Sequence, residues 1–464
     1  MKLVLAVHGF PPEGVGGTER GAAALASLLV AAGHEVLVVA GSWSEARAGE
    51  VALREEATPE GVRIARLTRP DLHFDHWHKS KSARVAAVWR ELLQRERPDV
   101  VHVLHWLRLS RDLVQIAAQE GIPAVVSLND SFVSCPLVFR VEPAGGTVCA
   151  KDLGPMACVP CAGRVAPRTP WVPMEAAFVQ LAERGQDLAR ELTLARVVLA
   201  PTRTHAERQL RHLGDAAFEF DVCPPAAPPP LRQREPLAAS GEGGPLVLGS
   251  WGELSKLKGT GLLFEALDGL ADVELRLAGP EREPGLFARL TSEHPGVRAT
   301  WSGPYEAAEL GRLDVSAVHA FVSATRAPES FGLVLDEARS LGLPALLPDV
   351  GAFAERGGEA RGAALFPPGD VDALRAAVQR LQRDAAWLGA LRAAVPAPVE
   401  SAAVLDGHLA AYDRARSAGA PGNPPAREWY AERMTDFAEQ EWDRGCSEHD
   451  PATLGLDAPD APRQ

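Results

Sequence analysis

The chain has 464 residues, of which 46% are hydrophobic and 23% are charged. At roughly 150 residues per domain, this length permits two or three domains with ample buried core. The formal net charge is −13, and an acidic surface disfavours binding to nucleic acids without excluding a local basic pocket for a phosphorylated small molecule.

The first residues form a short apolar run, Leu3–Val7, which is followed at once by a loop with glycine and charge. This run is too short for the apolar core of a signal peptide, so we interpret it as a first buried strand. The sequence has no apolar run of 18 or more residues, so we expect no membrane-spanning helix. We therefore expect the protein in the cytoplasm.

The first half of the chain alternates short apolar runs with helical patterns. The predicted strands are Leu3–Val7, Val36–Ala40, Val62–Leu67, Val100–Leu104, Ala124–Leu128 and Val197–Ala200. Helical patterns such as Thr18–Ala32 and Ala83–Arg95 lie between them. Continuous Val and Leu strands separated by helices are typical of a parallel sheet covered on both faces. The sequence therefore predicts a doubly wound α/β domain over residues 1–226.

A second domain follows a break in composition. Residues 227–244 are rich in proline, glycine and charge, which is typical of a linker. The alternation then restarts over 245–399, with predicted strands at Leu246–Ser250, Val273–Ala278, Val297–Trp301, Ala317–Ser323, Ala345–Leu347 and Ala363–Phe366. Residues 400–417 are predicted to form a helix that packs back on the N-terminal domain. For 418–464 we predict a loose segment, an amphipathic helix and a disordered tail.

A glycine-rich loop follows the first strand and leads into a predicted helix. It contains Gly14, Gly16 and Gly17, and bare N–H groups at a helix N-terminus suit an anionic group. The glycine spacing differs from the dinucleotide fingerprint and no acid ends the second strand, so NAD binding is poorly supported. A plain tight turn is the alternative.

Two glutamates flank a predicted helix start in the second domain. Pro328 blocks a helix arriving from upstream, so Glu329 lies just before the helix and Glu337 well inside it. Between them, the N–H groups of Phe331 and Gly332 sit at the helix start and can hold a phosphate. Carboxylates on both sides of a diphosphate can bind the hydroxyls of a sugar and of a ribose. The alternative is a capping acid plus a surface glutamate.

This segment resembles the E-x7-E motif of the retaining glycosyltransferases of family 4, which have the GT-B fold. Four further segments resemble that family in order and context, namely its glycine loop, a strand histidine segment, a stretch before the hinge and a phosphate-binding lysine loop: Gly16–Glu19, Pro98–His105, Ala200–Thr202 and Gly252–Gly259. The resemblance covers roughly residues 1–415. It implies two Rossmann-like α/β domains that face each other across a cleft.

The resemblance also implies roles for individual residues. Lys258 would neutralise the donor diphosphate, Glu337 would bind the ribose, and Glu329 would act at the donor sugar. The further donor-binding residues are Phe331, Gly332, Gly16 and Gly17. The reaction would be transfer with retained anomeric configuration and would need no catalytic cofactor, because a lysine and a helix terminus stabilise the leaving diphosphate.

Three positions depart from the family pattern. Glu253 stands where the family often has an arginine, and a carboxylate does not bind phosphate, so Lys256 is a candidate replacement. Asn129 stands where many relatives have a histidine, and an asparagine cannot transfer protons. Pro224–Ala226 replaces the usual asparagine–glycine pair at the hinge. These changes leave room for an unusual donor or for lost activity.

Residues for the acceptor side come from the first domain. His102 and His105 end a predicted strand, where open α/β sheets place ligands, so both are candidate catalytic residues. A core or surface histidine is the alternative for each. Asn129, Asp130 and Trp77 are candidate acceptor-side residues. The aromatic and histidine-rich stretch around Trp77 is expected to form part of an acceptor site, a membrane-surface contact, or an exposed loop.

Four of the six cysteines fall within residues 135–161. In a reducing compartment such a cluster indicates metal binding more than disulfides. Cys158 and Cys161 supply one half of a tetrahedral thiolate site, and Cys135 and Cys149 supply a looser second half. We predict a structural zinc site, with ordinary thiols or disulfides as alternatives. Some relatives carry a similar cysteine-rich insertion, so the resemblance extends to that subgroup.

These observations lead to one main hypothesis for function. A retaining hexosyltransferase would move sugar from a nucleotide diphosphosugar to a glycan, a lipid-linked or a small-molecule acceptor, in the cytoplasm or in peripheral contact with a membrane. One alternative is a sugar-nucleotide epimerase of the same architecture. Another is a homologue that binds sugar nucleotides without catalysis, which Glu253 and Asn129 favour.

Overall fold

The computed structural model describes residues 1–14, 16–42, 51–69, 82–143, 146–165, 174–213, 218–227, 236–237 and 244–422. The chain divides into two compact units: the N-terminal unit comprises residues 1–140, 150–227 and 401 onward, and the C-terminal unit comprises 141–149 and 228–400. In these ranges no helix has the length and apolar character needed to cross a membrane.

The N-terminal unit is built on an eight-stranded sheet in the order β3-β4-β2-β1-β5-β6-β7-β8. Its elements in chain order are β1 (Lys2–Val7), α1 (Gly17–Ala31), β2 (Glu35–Gly41), β3 (Ala52–Ala57), β4 (Arg63–Thr68), α2 (Ala83–Glu96), β5 (Val100–Val103), α3 (Leu113–Gln119), β6 (Ala124–Ser127), α4 (Pro155–Val165), α5 (Met174–Leu194), β7 (Val197–Ala200), α6 (Arg203–His212) and β8 (Asp221–Val222). All six predicted strands are present. Their residues are buried on both faces of the sheet, which explains the continuous apolar runs.

Both edges of this sheet hold a strand that the sequence did not predict, namely β3 at one edge and the two-residue β8 at the other. Strand β3 pairs antiparallel with β4, whereas the other pairs of the sheet are parallel. Its sequence, Ala-Leu-Arg-Glu-Glu-Ala, is charged and largely exposed. An edge strand needs no apolar face on both sides and often carries charges that block further pairing, so hydrophobic patterning does not reveal it.

The C-terminal unit is built on a six-stranded parallel sheet in the order β11-β10-β9-β12-β13-β14. Its elements are β9 (Leu246–Trp251), α7 (Thr260–Leu267), β10 (Val273–Ala278), α8 (Leu286–Glu293), β11 (Arg298–Trp301), β12 (Ala320–Val322), α9 (Leu333–Ser340), β13 (Ala345–Pro348), α10 (Ala352–Arg356), β14 (Ala363–Phe366), α11 (Val371–Arg383) and α12 (Ala385–Ala393). All six predicted strands are present here too.

Two segments each belong to a unit whose other residues lie elsewhere in the sequence. Residues 141–149, which the sequence assigned to the first domain, cluster with the C-terminal unit, where Gly146 lies against Arg326. The last described helix, α13 (Ser401–Ala418), packs on β5, β6 and β7 of the N-terminal sheet. Its buried residues follow a helical stripe, Val404, His408, Ala411, Tyr412 and Ala415.

Side-chain caps set the start of several helices. Ser82, Thr202 and Asp370 precede α2, α6 and α11, and each accepts a hydrogen bond from the backbone N–H three residues on. Such caps satisfy amides that have no partner within the helix. Of these three helices, the sequence predicted α2, which begins at Ala83 as expected.

Candidate active site

The loop that carries Lys258 lies at the C-terminal end of β9, where parallel sheets place ligands. The backbone N–H of Lys258 donates to the hydroxyl of Ser255 at 3.2 Å. Gly259 has a φ of 73°, and a Cβ atom there would lie 1.9 Å from the carbonyl oxygen of Ala324. The loop is therefore pressed against the segment that follows β12, and only glycine fits at this position.

Lys258 and Glu329 form a direct ion pair across these two segments. Lys258 Nζ lies 2.7 Å from Glu329 Oε1, and the hydroxyl of Thr325 donates to the same oxygen at 3.3 Å. Burial alone would lower the pKa of Lys258, but the nearby Glu329 carboxylate raises it, so the amine is cationic. Two residues that are 71 positions apart in sequence thus meet at one point.

The helix that follows Glu329 begins later than the sequence predicts. Helix α9 starts at Leu333, because Gly332 takes the left-handed conformation with a φ of 78°. The first amides of the helix are those of Leu333 and Val334, so Phe331 and Gly332 precede the helix and do not supply its terminal N–H groups. The carbonyl of Phe331 accepts from Arg356 at 2.7 Å, and the guanidinium lies 3.7 Å from the centroid of the Phe331 ring.

Glu337 lies inside α9 and is 9% exposed. The hydroxyl of Tyr305 donates to Glu337 Oε2 at 3.1 Å. A carboxylate that is both buried and hydrogen-bonded is not the surface glutamate of the alternative interpretation. It is held in a fixed orientation within the same unit as Lys258 and Glu329.

Glu253, the departure from the family pattern, has a partner that the sequence did not indicate. Its Oε2 accepts from Arg282 Nη1 at 3.3 Å. Arg282 follows β10, the strand next to β9 in the sheet. Lys256, the candidate replacement for the missing arginine, is exposed.

In the N-terminal unit, His105 and Asp130 meet at the C-terminal ends of β5 and β6. His105 Nε2 lies 3.0 Å from Asp130 Oδ2, and His105 Nδ1 accepts the backbone N–H of Leu107 at 3.0 Å. Asp130 Oδ1 accepts from the N–H of Phe132 at 2.8 Å. Burial by itself would raise the pKa of Asp130, but His105 outweighs it and the pKa falls to about 2.

A second histidine–carboxylate pair, His8 with Glu19, adjoins the first and was missed from sequence. His8 Nε2 lies 3.1 Å from Glu19 Oε1, and the His8 and His105 rings are 4.1 Å apart. A Cβ atom on Gly16 would lie 2.6 Å from Glu19 Oε2, so the glycine loop wraps around this carboxylate. Because the loop already surrounds the Glu19 carboxylate, a phosphate contact at Gly16 and Gly17 is disfavoured. The signal in sequence was an acid three residues after the glycine that precedes α1.

His102 occupies a different environment from His105. It is 0% exposed, its Nδ1 lies 2.8 Å from the hydroxyl of Tyr412, and its Nε2 lies 2.8 Å from the hydroxyl of Ser127. Because side chains alternate along β5, His102 lies under α13. Both ring nitrogens of His102 have partners, so the structure gives this residue an anchoring role between the helix and the sheet, which matches the alternative of a core histidine.

Three further sets of predicted residues remain, namely Asn129, Trp77 and the four cysteines. The amide nitrogen of Asn129 donates to the carbonyl of Leu104 at 3.1 Å, which ties together the ends of β5 and β6. Trp77 lies outside the described residues. Within the described ranges no group of three or more His, Cys, Asp and Glu side chains is placed to hold a metal ion. The zinc site at Cys135, Cys149, Cys158 and Cys161 has no support from this arrangement and stays a prediction.

Two family models match the chain. The model described as Glycosyltransferase Family 4 matches residues 15–227, and the model described as Glycosyl transferases group 1 matches residues 245–384. The first match covers β2 to β8 of the N-terminal sheet, and the second covers β9 to β14 of the C-terminal sheet. No curated protein matches the chain.

Similar solved structures extend over most of the chain at low sequence identity. Sucrose-phosphate synthase from Thermosynechococcus elongatus is 17% identical with a TM-score of 0.56, covering 97% of this chain and all of its own. The catalytic domain of starch synthase IV from Arabidopsis thaliana, bound to ADP and acarbose, is 14% identical with a TM-score of 0.58, covering 89% and 99%. HepE from Anabaena in complex with UDP is 13% identical with a TM-score of 0.55, covering 89% and 100%. These likenesses establish the fold.

Proposed function

Because the chain is a glycosyltransferase with two parallel-sheet domains of the GT-B fold, we propose that it transfers a hexose-type sugar from a nucleotide diphosphosugar to an acceptor hydroxyl with retained configuration. The observation that carries this proposal is the contact of 2.7 Å between Lys258 Nζ and Glu329 Oε1. This contact places the Lys258 ammonium next to a carboxylate, which is a group that can bind sugar hydroxyls, beyond the ends of the neighbouring strands β9 and β12.

Each donor-side residue has a task in this proposal. Lys258 stabilises the negative charge that develops on the diphosphate as its bond to the anomeric carbon breaks. Glu329 accepts hydrogen bonds from the hydroxyls of the transferred sugar, and Glu337 accepts them from the ribose. The solved structures of similar proteins that hold UDP or ADP support a nucleotide donor.

The acceptor contacts of the proposal come from the N-terminal unit. His105, Asn129 and Asp130 lie at adjacent strand ends and offer a fixed set of donors and acceptors. Carboxylates, amides and imidazoles are the groups that hydrogen-bond to hydroxyls. We infer a hydroxyl-bearing acceptor from a glycan, a glycolipid or a natural product, reached in solution or at a membrane surface.

A thermal-shift panel of UDP-, ADP- and GDP-sugars tests the proposal. A ligand at 100 times its Kd adds about 2.7 kcal/mol of stability, so one class of donor is expected to raise the Tm of the wild-type protein. Lys258→Ala and Glu337→Gln are expected to abolish this shift. Arg298→Ala is the control, because Arg298 is an exposed residue at the start of edge strand β11.

Product analysis then separates transfer from other chemistry. Release of the nucleoside diphosphate together with a new α- or β-glycoside of the same configuration as the donor supports the proposal. An unchanged ligand-induced shift in Lys258→Ala, or a product with inverted configuration, would contradict it.

A further inference from the structure

The loops after β9 and β10 run side by side and are joined by backbone hydrogen bonds. The N–H of Leu254 donates to the carbonyl of Pro280 at 2.9 Å, and the N–H of Arg282 donates to the carbonyl of Leu254 at 3.0 Å. These bonds set Arg282 beside Glu253, at the base of the Lys258 loop.

The Arg282 loop is itself held rigidly. The carboxylate of Glu281 accepts from the N–H groups of Gly285 and Phe287 at 2.8 and 2.7 Å, so it caps the start of α8. The orientation of Arg282 therefore does not depend on a flexible loop. Its partner Glu253 is also fixed, because the neighbouring Leu254 is buried and bonded on both sides.

The charges around Lys258 form two ion pairs. Lys258 pairs with Glu329, and Arg282 pairs with Glu253 at 3.3 Å. A diphosphate brings at least two negative charges, and Lys258 alone, already next to a carboxylate, compensates them poorly. Without Arg282, the carboxylate of Glu253 would repel the ligand.

Arg282 has unused capacity to bind an anion. A guanidinium has five N–H donors, and in the described residues its one hydrogen bond from the side chain is to Glu253. The side chains of Arg282 and Glu253 are 26% and 33% exposed, so a ligand can reach them. The planar fork of an arginine matches the oxygens of a phosphate better than an ammonium does.

We propose that Arg282 binds the diphosphate of the donor together with Lys258, and that Glu253 orients Arg282 for this contact. This inference rests on the proposed function and adds a binding residue to the same site. The acid in the lysine loop then has a defined task, because it holds an arginine that comes from the neighbouring strand.

A competing explanation is that Arg282 only neutralises Glu253. Both explanations expect Arg282→Gln to weaken binding, because a bare carboxylate is left near the ligand. They differ for the double variant Glu253→Gln/Arg282→Gln. If Arg282 only neutralises Glu253, the double variant, in which neither side chain is charged, should bind the diphosphate like the wild-type protein. If Arg282 contacts a phosphate, the double variant should bind the diphosphate weakly.

The experiment is titration calorimetry of the full chain with UDP, ADP and GDP. We expect Arg282→Gln and the double variant both to raise Kd about tenfold or more for the diphosphate that binds the wild-type protein, the usual loss for one charged hydrogen bond. Glu253→Gln alone is expected to change Kd by less than about threefold, since the cation remains and the amide oxygen of glutamine can still accept the hydrogen bond that orients Arg282. Arg289→Gln is the control, because Arg289 is an exposed residue of α8 that pairs with Glu293 at 3.4 Å.

The outcomes separate this inference from the proposed function. Wild-type affinity in the double variant would overturn the role of Arg282, while loss of binding in Lys258→Ala would still support the donor site. If none of the three diphosphates binds the wild-type protein, the proposed function fails and the inference fails with it.

Discussion

The buried pair of His8 and Glu19 leads to a prediction with a calculable size. Both side chains are less than 5% exposed. Burial would raise the pKa of Glu19, but attraction and hydrogen bonding by His8, with a contribution from Arg108, lower it from 4.5 to about 2. A shift of this size corresponds to about 3 kcal/mol of stability at neutral pH. A hydrogen bond to a charged group contributes about 1.5–3 kcal/mol, which is of the same order.

We therefore expect Glu19→Gln, which mimics the protonated acid, to lower the free energy of unfolding by about 3 kcal/mol at pH 7. Because the folded-state pKa is the lower one, the contribution is complete above pH 4.5 and is lost as the pH falls towards about 2. The difference between variant and wild type should shrink over that window.

Urea unfolding curves between pH 3 and pH 7 measure this difference directly. Glu55→Gln is the matched control, because Glu55 lies in the same unit, is 46% exposed, and pairs with Arg95 on the surface. Such pairs contribute less than about 1 kcal/mol. A loss for Glu19→Gln below about 1 kcal/mol, or one that is equal at pH 3 and pH 7, would refute the reasoning.

Three further predictions follow from the packing and the cysteines. Tyr412→Phe is expected to lower the free energy of unfolding by about 1–3 kcal/mol, because it leaves a buried nitrogen of His102 without a partner; urea unfolding checks this, and an unchanged midpoint contradicts it. Gly259→Ala is expected to abolish donor binding in calorimetry, because a Cβ atom would lie 1.9 Å from the carbonyl oxygen of Ala324; wild-type affinity would contradict it. Elemental analysis of the purified protein tests the zinc prediction, and less than about a tenth of an equivalent of zinc per chain would contradict it.

The strands could be predicted because most of them are buried on both faces. A buried strand has to be apolar along its whole length, so each Val- or Leu-rich run marks a strand with few exceptions. The exceptions are β8, an exposed strand of two residues at one edge, and β3, which lies at the other edge and is largely exposed. Charged residues are compatible with an edge position, and they leave no apolar pattern from which the strand could be predicted.

Parts of the candidate site could be predicted for a different reason. Glu329 and Glu337 were found from the predicted helix start after Pro328, and Lys258 from a loop that resembles the family; the structure brings Lys258 and Glu329 into contact. Arg282 could not be found this way, because its role depends on the adjacency of β9 and β10 in the sheet. Sequence patterns show which residues end strands, but not which strand ends are neighbours.

His102 and His105 show the same limit more sharply. His102 and His105 are three residues apart, and both were assigned to catalysis from sequence. His102 lies within β5 and packs under α13 with Tyr412 as partner, whereas His105 lies two residues past the end of this strand and reaches Asp130. That α13 covers one face is a property of the fold, which the local sequence around β5 does not contain.

The hydrogen bonds of His105 bear on the stereochemistry of the reaction. Its Nδ1 accepts the N–H of Leu107 and so carries no proton, which leaves the proton on Nε2 to be donated to Asp130. To accept another proton, His105 would have to give up the bond to Leu107, and burial lowers its pKa as well. Asp130, with a pKa of about 2, is a weak base, and Asn129 does not titrate. An inverting transfer requires a general base near the acceptor, and none of these three residues is suited to that role, so such a base would have to come from elsewhere in the protein.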